Sequence, residues 1–392
     1  MKIGSHQFNR VEFAGSLGDL GTLIPLALGL ILITGLSLTP VLLIIGLFYI
    51  SIGIYYRLPI PVQPLKLVAA IAIAFPDKVT GHMIAATGFI FGSTLLLLVW
   101  TGFIDWIVRF FTKPIIRGIQ FGLGLILITK GIGFIQNTNL FIHEENATNI
   151  LGGIHINPLI GILGFIVTLF LLPSKRFPAA LIIVAAGVII GIFFGAFKGI
   201  VFDLGPTLIE FTLPSSEDFV NALFLLVIPQ IPLTLGNAII GTTDAVQNLF
   251  GDTKRATHRG FATSMGLVNI GVGFLSGMPV CHGAGGLAAH YRFGARTGGS
   301  NIMIGILFVI IALAFGKVGI HLLSAIPNSV LGVLLLFAGL ELALLIKDIK
   351  ERNDLFVVFL IAGISLATSN MGMAFIAGIL IERIIQLKKL KV

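Results

Sequence analysis

One lysine lies in a stretch of the chain that is otherwise apolar, and it is the first candidate for chemistry. Lys66 follows Leu58-Pro-Ile-Pro-Val-Gln-Pro64 and precedes an apolar run that ends at Phe75. A charged side chain at membrane depth costs about 2.5–3.5 kcal/mol on insertion scales, so it is expected to have a partner or a function. Lys66 could neutralise a bound oxyanion. The structural alternatives are an ion pair, for example with Asp19, and snorkelling to an interface.

Asp19 is a second ionisable residue within an apolar segment, in the motif Gly15-Ser-Leu-Gly-Asp-Leu-Gly-Thr22. The glycines permit close helix packing or a local break in the helix. The carboxyl group could take up a coupling proton or balance the charge of Lys66. A packing and hydrogen-bonding role for the motif is an equal alternative.

Polar side chains in two other apolar segments complete the candidate site. Gln63 and His282 could donate hydrogen bonds to an anion, although a lone intramembrane histidine is often a satisfied structural residue. A polar stripe that repeats at helical spacing from Gln230 to Asn237 is expected to face a cavity. The predicted substrate-binding residues are Val62, Gln63, Lys66, Gln230, Thr234, Asn237, Cys281, His282, Gly283 and Ala284, with Asp19 as the coupling residue.

Catalytic and metal-binding motifs are missing from the sequence. Its single cysteine, Cys281, excludes an intramolecular disulfide and a cysteine-cluster metal site. Neither an HExxH motif nor a P-loop with GK[ST] occurs, so neither a metalloprotease mechanism nor ATP hydrolysis is indicated. We therefore expect no enzymatic activity, no metal and no cofactor.

These residues belong to a predominantly apolar chain of 392 residues. Its mean hydropathy is +1.05 and 11% of its residues are charged, against about 25% in soluble domains. Apolar runs of nearly the length of a spanning helix recur throughout, and the N-terminus has no pattern of a removable signal peptide. The sequence predicts an all-α polytopic membrane protein of about 14 transmembrane segments. The approximate spans are 12–34, 40–56, 58–75, 82–101, 115–135, 157–172, 178–197, 219–241, 258–276, 278–291, 300–316, 326–346, 353–369 and 371–387.

The net charge of +8 is spread over short inter-helix loops, so a nucleic-acid partner is not indicated. With a cytoplasmic N-terminus and about fourteen spans, most of the 25 Lys and Arg residues fall on the inner side. Only Lys78, Lys130, Lys198 and Lys317 fall outside, and Lys66 lies at membrane depth. We therefore predict that both termini are cytoplasmic, in a protein of the cell (plasma) membrane.

Two related halves are indicated by a single offset of 218 residues. It aligns Ser16–Asp19 with Thr234–Asn237, and also Pro61-Val62 with Pro279-Val280. Because each half has seven spans, an odd number, the second half must be inverted relative to the first. The first repeat is predicted at 1–197 and the second at 219–392.

The third span of each half is interrupted. Three prolines in 58–64 leave only about 65–75 to form a helix, and its mate, Gly277-Met-Pro-Val-Cys-His-Gly-Ala-Gly-Gly286, is also too rich in Gly and Pro to begin as one. In an inverted repeat the two half-helices, spans 3 and 10, point their N-termini at each other near the midplane. Unpaired N–H groups and positive dipole ends favour an anion there.

The longest of these motifs resemble those of a known family. They are Glu12-Phe-Ala-Gly-Ser-Leu-Gly-Asp-Leu-Gly-Thr22, Pro61-Val-Gln-Pro-Leu-Lys66, Pro229-Gln-Ile-Pro-Leu-Thr-Leu-Gly-Asn237, Thr243-Asp-Ala-Val-Gln-Asn248, Pro279-Val-Cys-His-Gly-Ala-Gly-Gly286 and Tyr291-Arg-Phe-Gly-Ala-Arg296. The chain resembles the molybdate transporter family, a branch of the sulfate permease superfamily. The resemblance implies the uracil-permease-like fold of seven plus seven spans. A core of about 12–101 and 219–316 would move against a gate of about 115–197 and 326–387, without the cytoplasmic regulatory domain of larger sulfate permeases.

The resemblance also implies a function, secondary import of molybdate, with proton coupling left open. The residues themselves indicate only an anion site, and sulfate is a tetrahedral dianion like molybdate, so a sulfate or broad oxyanion permease is the alternative. A nucleobase permease on the same fold is less favoured, because spans 8 and 10 carry no carboxylate before Asp244 to suit the N–H groups of a base. A receptor or scaffold without transport is a fourth reading. The expected partners are the oxyanion, a coupling proton and membrane lipid, and homodimer formation is open.

Overall fold

The computed structural model describes residues 2–103, 112–142, 149–150, 154–174, 178–197, 203–209, 211 and 213–388. Three short antiparallel strand pairs accompany the helices: β1 (Lys2–Ile3) with β2 (His6–Gln7), β3 (Gln63–Pro64) with β6 (Val280–Cys281), and β4 (Asn149–Ile150) with β5 (Ile154–His155). The helices are α1 (Arg10–Ser16), α2 (Leu20–Thr34), α3 (Leu38–Tyr56), α4 (Lys66–Ala74), α5 (Gly81–Trp100), α6 (Lys113–Gln136), α7 (Ile156–Leu171), α8 (Ala179–Phe193), α9 (Ser216–Phe250), α10 (His258–Phe274), α11 (Ala284–Arg292), α12 (Gly298–Ser324), α13 (Asn328–Ala343), α14 (Arg352–Thr368) and α15 (Met371–Lys388).

The helices follow the predicted spans in order and in position, which confirms the polytopic all-α class. Six described helices are long and apolar enough to cross a membrane on their own, or seven when the bent pair α1–α2 counts as one span. The number of fourteen crossings is compatible with this arrangement. The chain bends by 45° between α1 and α2, at the glycine-rich segment where the sequence allowed either close packing or a break.

Both interrupted spans are short helices preceded by extended chain. The half-helices α4 and α11 have nine residues each, and the strands before them pair with each other in the register Gln63 with Cys281 and Pro64 with Val280. The N–H of Leu65 also donates to the carbonyl of Pro279 at 2.9 Å. Because the prolines cannot supply helical hydrogen bonds, the chain here satisfies its backbone across the two halves of the sequence.

The helices on either side of these half-helices cross at glycines. A Cβ atom on Gly46 of α3 would lie 2.7 Å from the carbonyl oxygen of Gly305 of α12, and one on Gly53 would lie 2.8 Å from that of Gly298. Each helix therefore presents glycines two turns apart to its antiparallel partner, as small residues do where membrane helices approach closely. The same arrangement joins α6 and α13 through Gly124, Gly131, Gly332 and Gly339, and a similar one joins α5 and α10 through Gly88, Gly92, Gly266 and Gly273.

The long helix α9 contains two wider, π-helical stretches, Leu223–Val227 and Thr234–Ile240. Pro229 and Pro232 lie between them and cannot donate the regular helical hydrogen bond, which accounts for the departure from α geometry. Each π turn rotates the following side chains relative to the preceding ones. Spacing along the sequence is therefore a poor guide to which face of α9 a residue occupies.

Several basic residues that supported the topology, namely Arg109, Lys175, Arg176, Lys198, Lys389 and Lys391, lie outside the described residues.

Candidate functional site

A cavity of about 560 Å³ is lined by residues from two groups of helices. The first group is α2, α4, α9 and α11, and the second is α6, α7, α8 and α13. The first residues of both half-helices, Lys66 and Ala284, belong to the lining. The cavity also reaches Arg117 near the start of α6 and Arg292 at the end of α11, both in the segments predicted to face the cytoplasm.

Lys66 is the first residue of α4, and its partly exposed side chain lines the cavity. Among the ion pairs of the described residues, none within 4.0 Å joins Lys66 to Asp19 or to another carboxylate. The structural ion pair considered for Lys66 is therefore not formed in this conformation. A cation at a helix N-terminus opposes the helix dipole, and an anion bound beside it would offset that cost.

The N-terminus of α11 presents backbone donors to the same space. Gly283 is the N-cap, and the N–H of Leu287 makes the first intrahelical hydrogen bond to its carbonyl. The N–H groups of Ala284, Gly285 and Gly286 precede that bond, so helix geometry leaves them without an intrahelical acceptor. Ala284 and Gly285 line the cavity. Together with the Lys66 ammonium, they can bind an oxyanion.

Gln63 and Asp19 form a buried pair against the first turn of α11. The Nε2 atom of Gln63 donates to Oδ1 of Asp19 at 2.6 Å. The other oxygens of the pair, Oε1 of Gln63 and Oδ2 of Asp19, are buried without a hydrogen-bond partner among the described residues. A Cβ atom on Gly286 would lie 2.6 Å from Oδ2 of Asp19, and one on Gly283 would collide with Oε1 of Gln63. Glycine at these positions therefore makes room for the pair.

Gln230 and Thr234 do not line the cavity. Their hydrogen bonds instead stabilise the start of α4. The Oε1 atom of Gln230 accepts from the N–H of Leu67 at 3.1 Å, so the side chain caps the first half-helix, and its Nε2 donates to Oγ1 of Thr234 at 3.0 Å. Both side chains are buried. Of the predicted polar stripe on α9, only Asn237 belongs to the cavity lining. Because of the π turn that begins at Thr234, the side chain of Asn237 points in a different direction from those of Gln230 and Thr234.

His282 lies beneath the site and not in its lining. Its Nδ1 contacts the carbonyl of Pro61 at 3.0 Å and its Nε2 contacts Oγ of Ser264 at 2.9 Å. A carbonyl can only accept, so Nδ1 carries the proton and Nε2 accepts from the hydroxyl. The ring also stacks on Phe48 with centroids 5.4 Å apart. With both nitrogens occupied, His282 connects the β6 segment to the loop before β3.

Val62 and Cys281 are also buried, in the extended segments that precede the half-helices. The carbonyl of Val62 accepts a hydrogen bond from the hydroxyl of Tyr49 at 3.2 Å. Cys281 is 3% exposed and its Sγ lies 3.7 Å from the carbonyl of Pro64. Neither Val62 nor Cys281 belongs to the lining of the cavity in this conformation.

The cavity lining includes residues that sequence reasoning missed. Gly18 lies in the turn before α2, Gly21 and Thr22 lie in the first turn of α2, and all three belong to the Asp19 motif, which could have revealed them. In the second group of helices, Gln120 and Glu341 have no counterpart among the predicted site residues. No interrupted helix or repeated motif marks their segments, so the sequence carries no comparable signal for them.

Comparison with known proteins adds to this geometry. Residues 11–127 and 222–342 match the family described as "Molybdate transporter of MFS superfamily". The chain is 33% identical to molybdate transporter 2 of Arabidopsis thaliana, over 97% of the chain and 88% of that protein. It is 29% identical to molybdate transporter 1 of Chlamydomonas reinhardtii, over 94% of the chain and 90% of that protein.

Solved structures share the fold at low sequence identity. The murine Solute Carrier 26 family member A9 anion transporter in the inward-facing state matches with a TM-score of 0.72 at 14% identity, covering 100% of this chain and 70% of that one. The transmembrane domain of a cyanobacterium bicarbonate transporter, BicA, matches with a TM-score of 0.67 at 15% identity, covering 95% and 97%. The description of the family names a different superfamily from the one these solved structures represent.

Proposed function

The chain belongs to the molybdate transporter family, and we propose that it is a secondary transporter that imports molybdate through the cavity between its two groups of helices. The observation that carries this proposal is the shared lining of one cavity by Lys66 and by the first residues of α11. A non-enzymatic role follows, because such a site binds and releases an anion without a covalent step. We also place the chain with the sulfate permeases, which is supported by the paired half-helices and by the matching SLC26 fold.

The lining suits a tetrahedral dianion for electrostatic reasons. The Lys66 ammonium supplies a full positive charge, and the N-termini of α4 and α11 supply partial charges of the same sign. The amide of Asn237 and the N–H groups of Ala284 and Gly285 can donate hydrogen bonds to oxyanion oxygens. Charge alone does not separate molybdate from sulfate. The choice of molybdate rests on the names of the relatives.

We further propose alternating access of a core (about 12–101 and 219–316) against a gate (about 115–197 and 326–387). The glycine crossings support this division, because α3 with α12 and α5 with α10 lie within the core, whereas α6 with α13 lies within the gate. The cavity lies between the two groups and reaches Arg117 and Arg292. We also propose that both termini are cytoplasmic in a plasma membrane, so that the end of the cavity at Arg117 and Arg292 faces the cytoplasm.

Uptake into proteoliposomes tests the proposed function. The full chain is reconstituted and radiolabelled molybdate uptake is measured with and without an excess of sulfate. We expect uptake that unlabelled molybdate abolishes and that sulfate reduces only slightly. Equal competition by sulfate would favour a broad oxyanion permease, and binding without flux would favour a receptor.

Asp19 is the proposed coupling residue. Its Oδ2 is buried beside the first turn of α11, where no described residue hydrogen-bonds to it, and the carboxylate interacts electrostatically with Lys66. When ionised, Asp19 offsets the positive charge available to the oxyanion. When protonated, it leaves that charge uncompensated and gains an O–H donor, so proton and dianion binding should favour each other.

For Asp19→Asn we expect molybdate uptake that no longer responds to an imposed pH gradient, because the amide cannot carry a proton. Molybdate should still bind within about threefold of the wild-type affinity, since the amide resembles the protonated acid. The measurement is uptake at several inside and outside pH values, with Asp244→Asn on the exposed side of α9 as the control. An unchanged gradient dependence would return Asp19 to a packing role.

A further inference from the structure

Five glycines line the cavity, and two of them, Gly21 and Gly285, have open space where a side chain would be. A Cβ atom on Gly18 would lie 2.7 Å from the carbonyl oxygen of Ala289, and Gly236 and Gly241 likewise face protein atoms within 4 Å. A Cβ atom on Gly21 or Gly285 would meet no atom of the described residues within 4 Å. Neighbouring atoms therefore crowd a side chain at Gly18, Gly236 and Gly241, but not one at Gly21 or Gly285.

The backbone does not require glycine at these two positions either. Neither Gly21 nor Gly285 is among the residues with positive φ, and each is the second residue of a helix, α2 or α11. Alanine is the better helix former at such a position. The missing methyl group instead leaves empty space where both residues are exposed to the cavity.

Both glycines line the cavity, together with the N-terminus of α11. Gly285 lies in the first turn of α11, which contains the N–H donors. Gly21 comes two residues after Asp19, and a Cβ atom on Gly286 would lie 2.6 Å from Oδ2 of Asp19, so this contact brings the start of α2 close to the first turn of α11. An oxyanion bound to the donors is therefore bordered by Gly285 and, across this contact, by Gly21.

We propose that Gly21 and Gly285 set the size limit of the oxyanion site and so make room for a large tetrahedral anion. This inference rests on the proposed function for the identity of the anion. Molybdate and sulfate carry the same charge and the same shape, but the bonds from molybdenum to oxygen are longer than those from sulfur. A site that prefers molybdate must therefore distinguish size, and bare backbone lets the larger anion approach the N–H donors closely.

The test adds one methyl group at each position. Equilibrium binding of molybdate and of sulfate is measured on the purified full chain for Gly21→Ala and Gly285→Ala. We expect molybdate affinity to fall by about tenfold or more and sulfate affinity by less than about threefold, since one methyl group in a fitted pocket changes binding by roughly 10–200-fold. Gly133→Ala in α6 and Gly363→Ala in α14 are matched controls, because a Cβ atom there also meets nothing within 4 Å and neither residue lines the cavity. The controls should bind both anions as the wild type does.

The possible results distinguish a failure of this inference from a failure of the proposed function. Equal losses for both anions in the alanine variants, or no loss for either, would overturn the size limit. A wild-type chain that prefers sulfate would contradict molybdate import. In that case the size limit would still predict that the alanine variants lose more affinity for molybdate than for sulfate. A wild-type chain that binds neither anion would contradict both.

Discussion

We expect Lys66→Ala to abolish oxyanion uptake while the protein stays folded. Truncating one partner of a buried charge pair costs about 2–5 kcal/mol of binding, which corresponds to roughly 30-fold to several-thousand-fold in affinity. Folding should not suffer, because Lys66 makes no ion pair among the described residues and its charge is costly at membrane depth. Uptake and binding of radiolabelled molybdate are measured, together with the thermal unfolding midpoint in detergent.

Two further variants show that the effect belongs to the site. Lys66→Arg should recover little uptake, because a planar guanidinium does not replace a compact ammonium in a confined cavity. Lys130→Ala, in the spanning helix α6 but away from the cavity lining, should transport normally. Normal uptake by Lys66→Ala would contradict the charge-neutralising role.

Gly283→Val is expected to eliminate molybdate binding. A side chain at this N-cap collides with Oε1 of Gln63 and comes within 3.4 Å of Nδ2 of Asn237. Gln63 must then move, which breaks its 2.6 Å hydrogen bond to Asp19 and disturbs the first turn of α11. Losing a buried charge-assisted hydrogen bond costs about 1.5–3 kcal/mol before any displacement of the N–H donors is counted.

The control for this prediction is Gly271→Val in α10, where a Cβ atom meets nothing within 4 Å. It should bind and transport as the wild type does. A bulky residue at Val62 should also prevent binding, but by overpacking, since Val62 is fully buried. If Gly283→Val binds molybdate normally and unfolds at the wild-type temperature, the binding site does not lie at the start of α11.

The half-helices were predictable because their signals are local. Proline removes backbone donors wherever it occurs, so the residues before Lys66 had to be extended, and the 218-residue offset located the mate before Ala284. The predicted start of the first half-helix, at about residue 65, agrees with α4, and the second half-helix begins within its Gly- and Pro-rich segment and not at the start of that segment, as expected. Lys66 was also identifiable, since a lone charge in an apolar run is informative without any knowledge of its neighbours.

The roles of Gln230 and His282 were not predictable, because their partners come from distant parts of the chain. The side chain of Gln230 caps α4 by accepting a hydrogen bond from the N–H of Leu67, and the ring of His282 is hydrogen-bonded to Pro61 and Ser264. Spacing on a regular helix predicted that Gln230 and Thr234 share the cavity face with Asn237, but the π turn in α9 changes that relation. Such turns depend on tertiary packing around Pro229 and Pro232, which a periodic pattern does not show.

The pairing of β3 with β6 has a consequence for how the protein is made. Pro64 and Cys281 are neighbours in the fold but 217 positions apart in the chain. At about 5–20 residues per second, a ribosome needs roughly 10–40 s to synthesise the intervening segment. During that interval the backbone of β3 has no partner strand, and lipid cannot satisfy its unpaired N–H and C=O groups. The first half of the nascent chain must therefore keep this segment at an aqueous surface or beside the insertion machinery until α11 emerges.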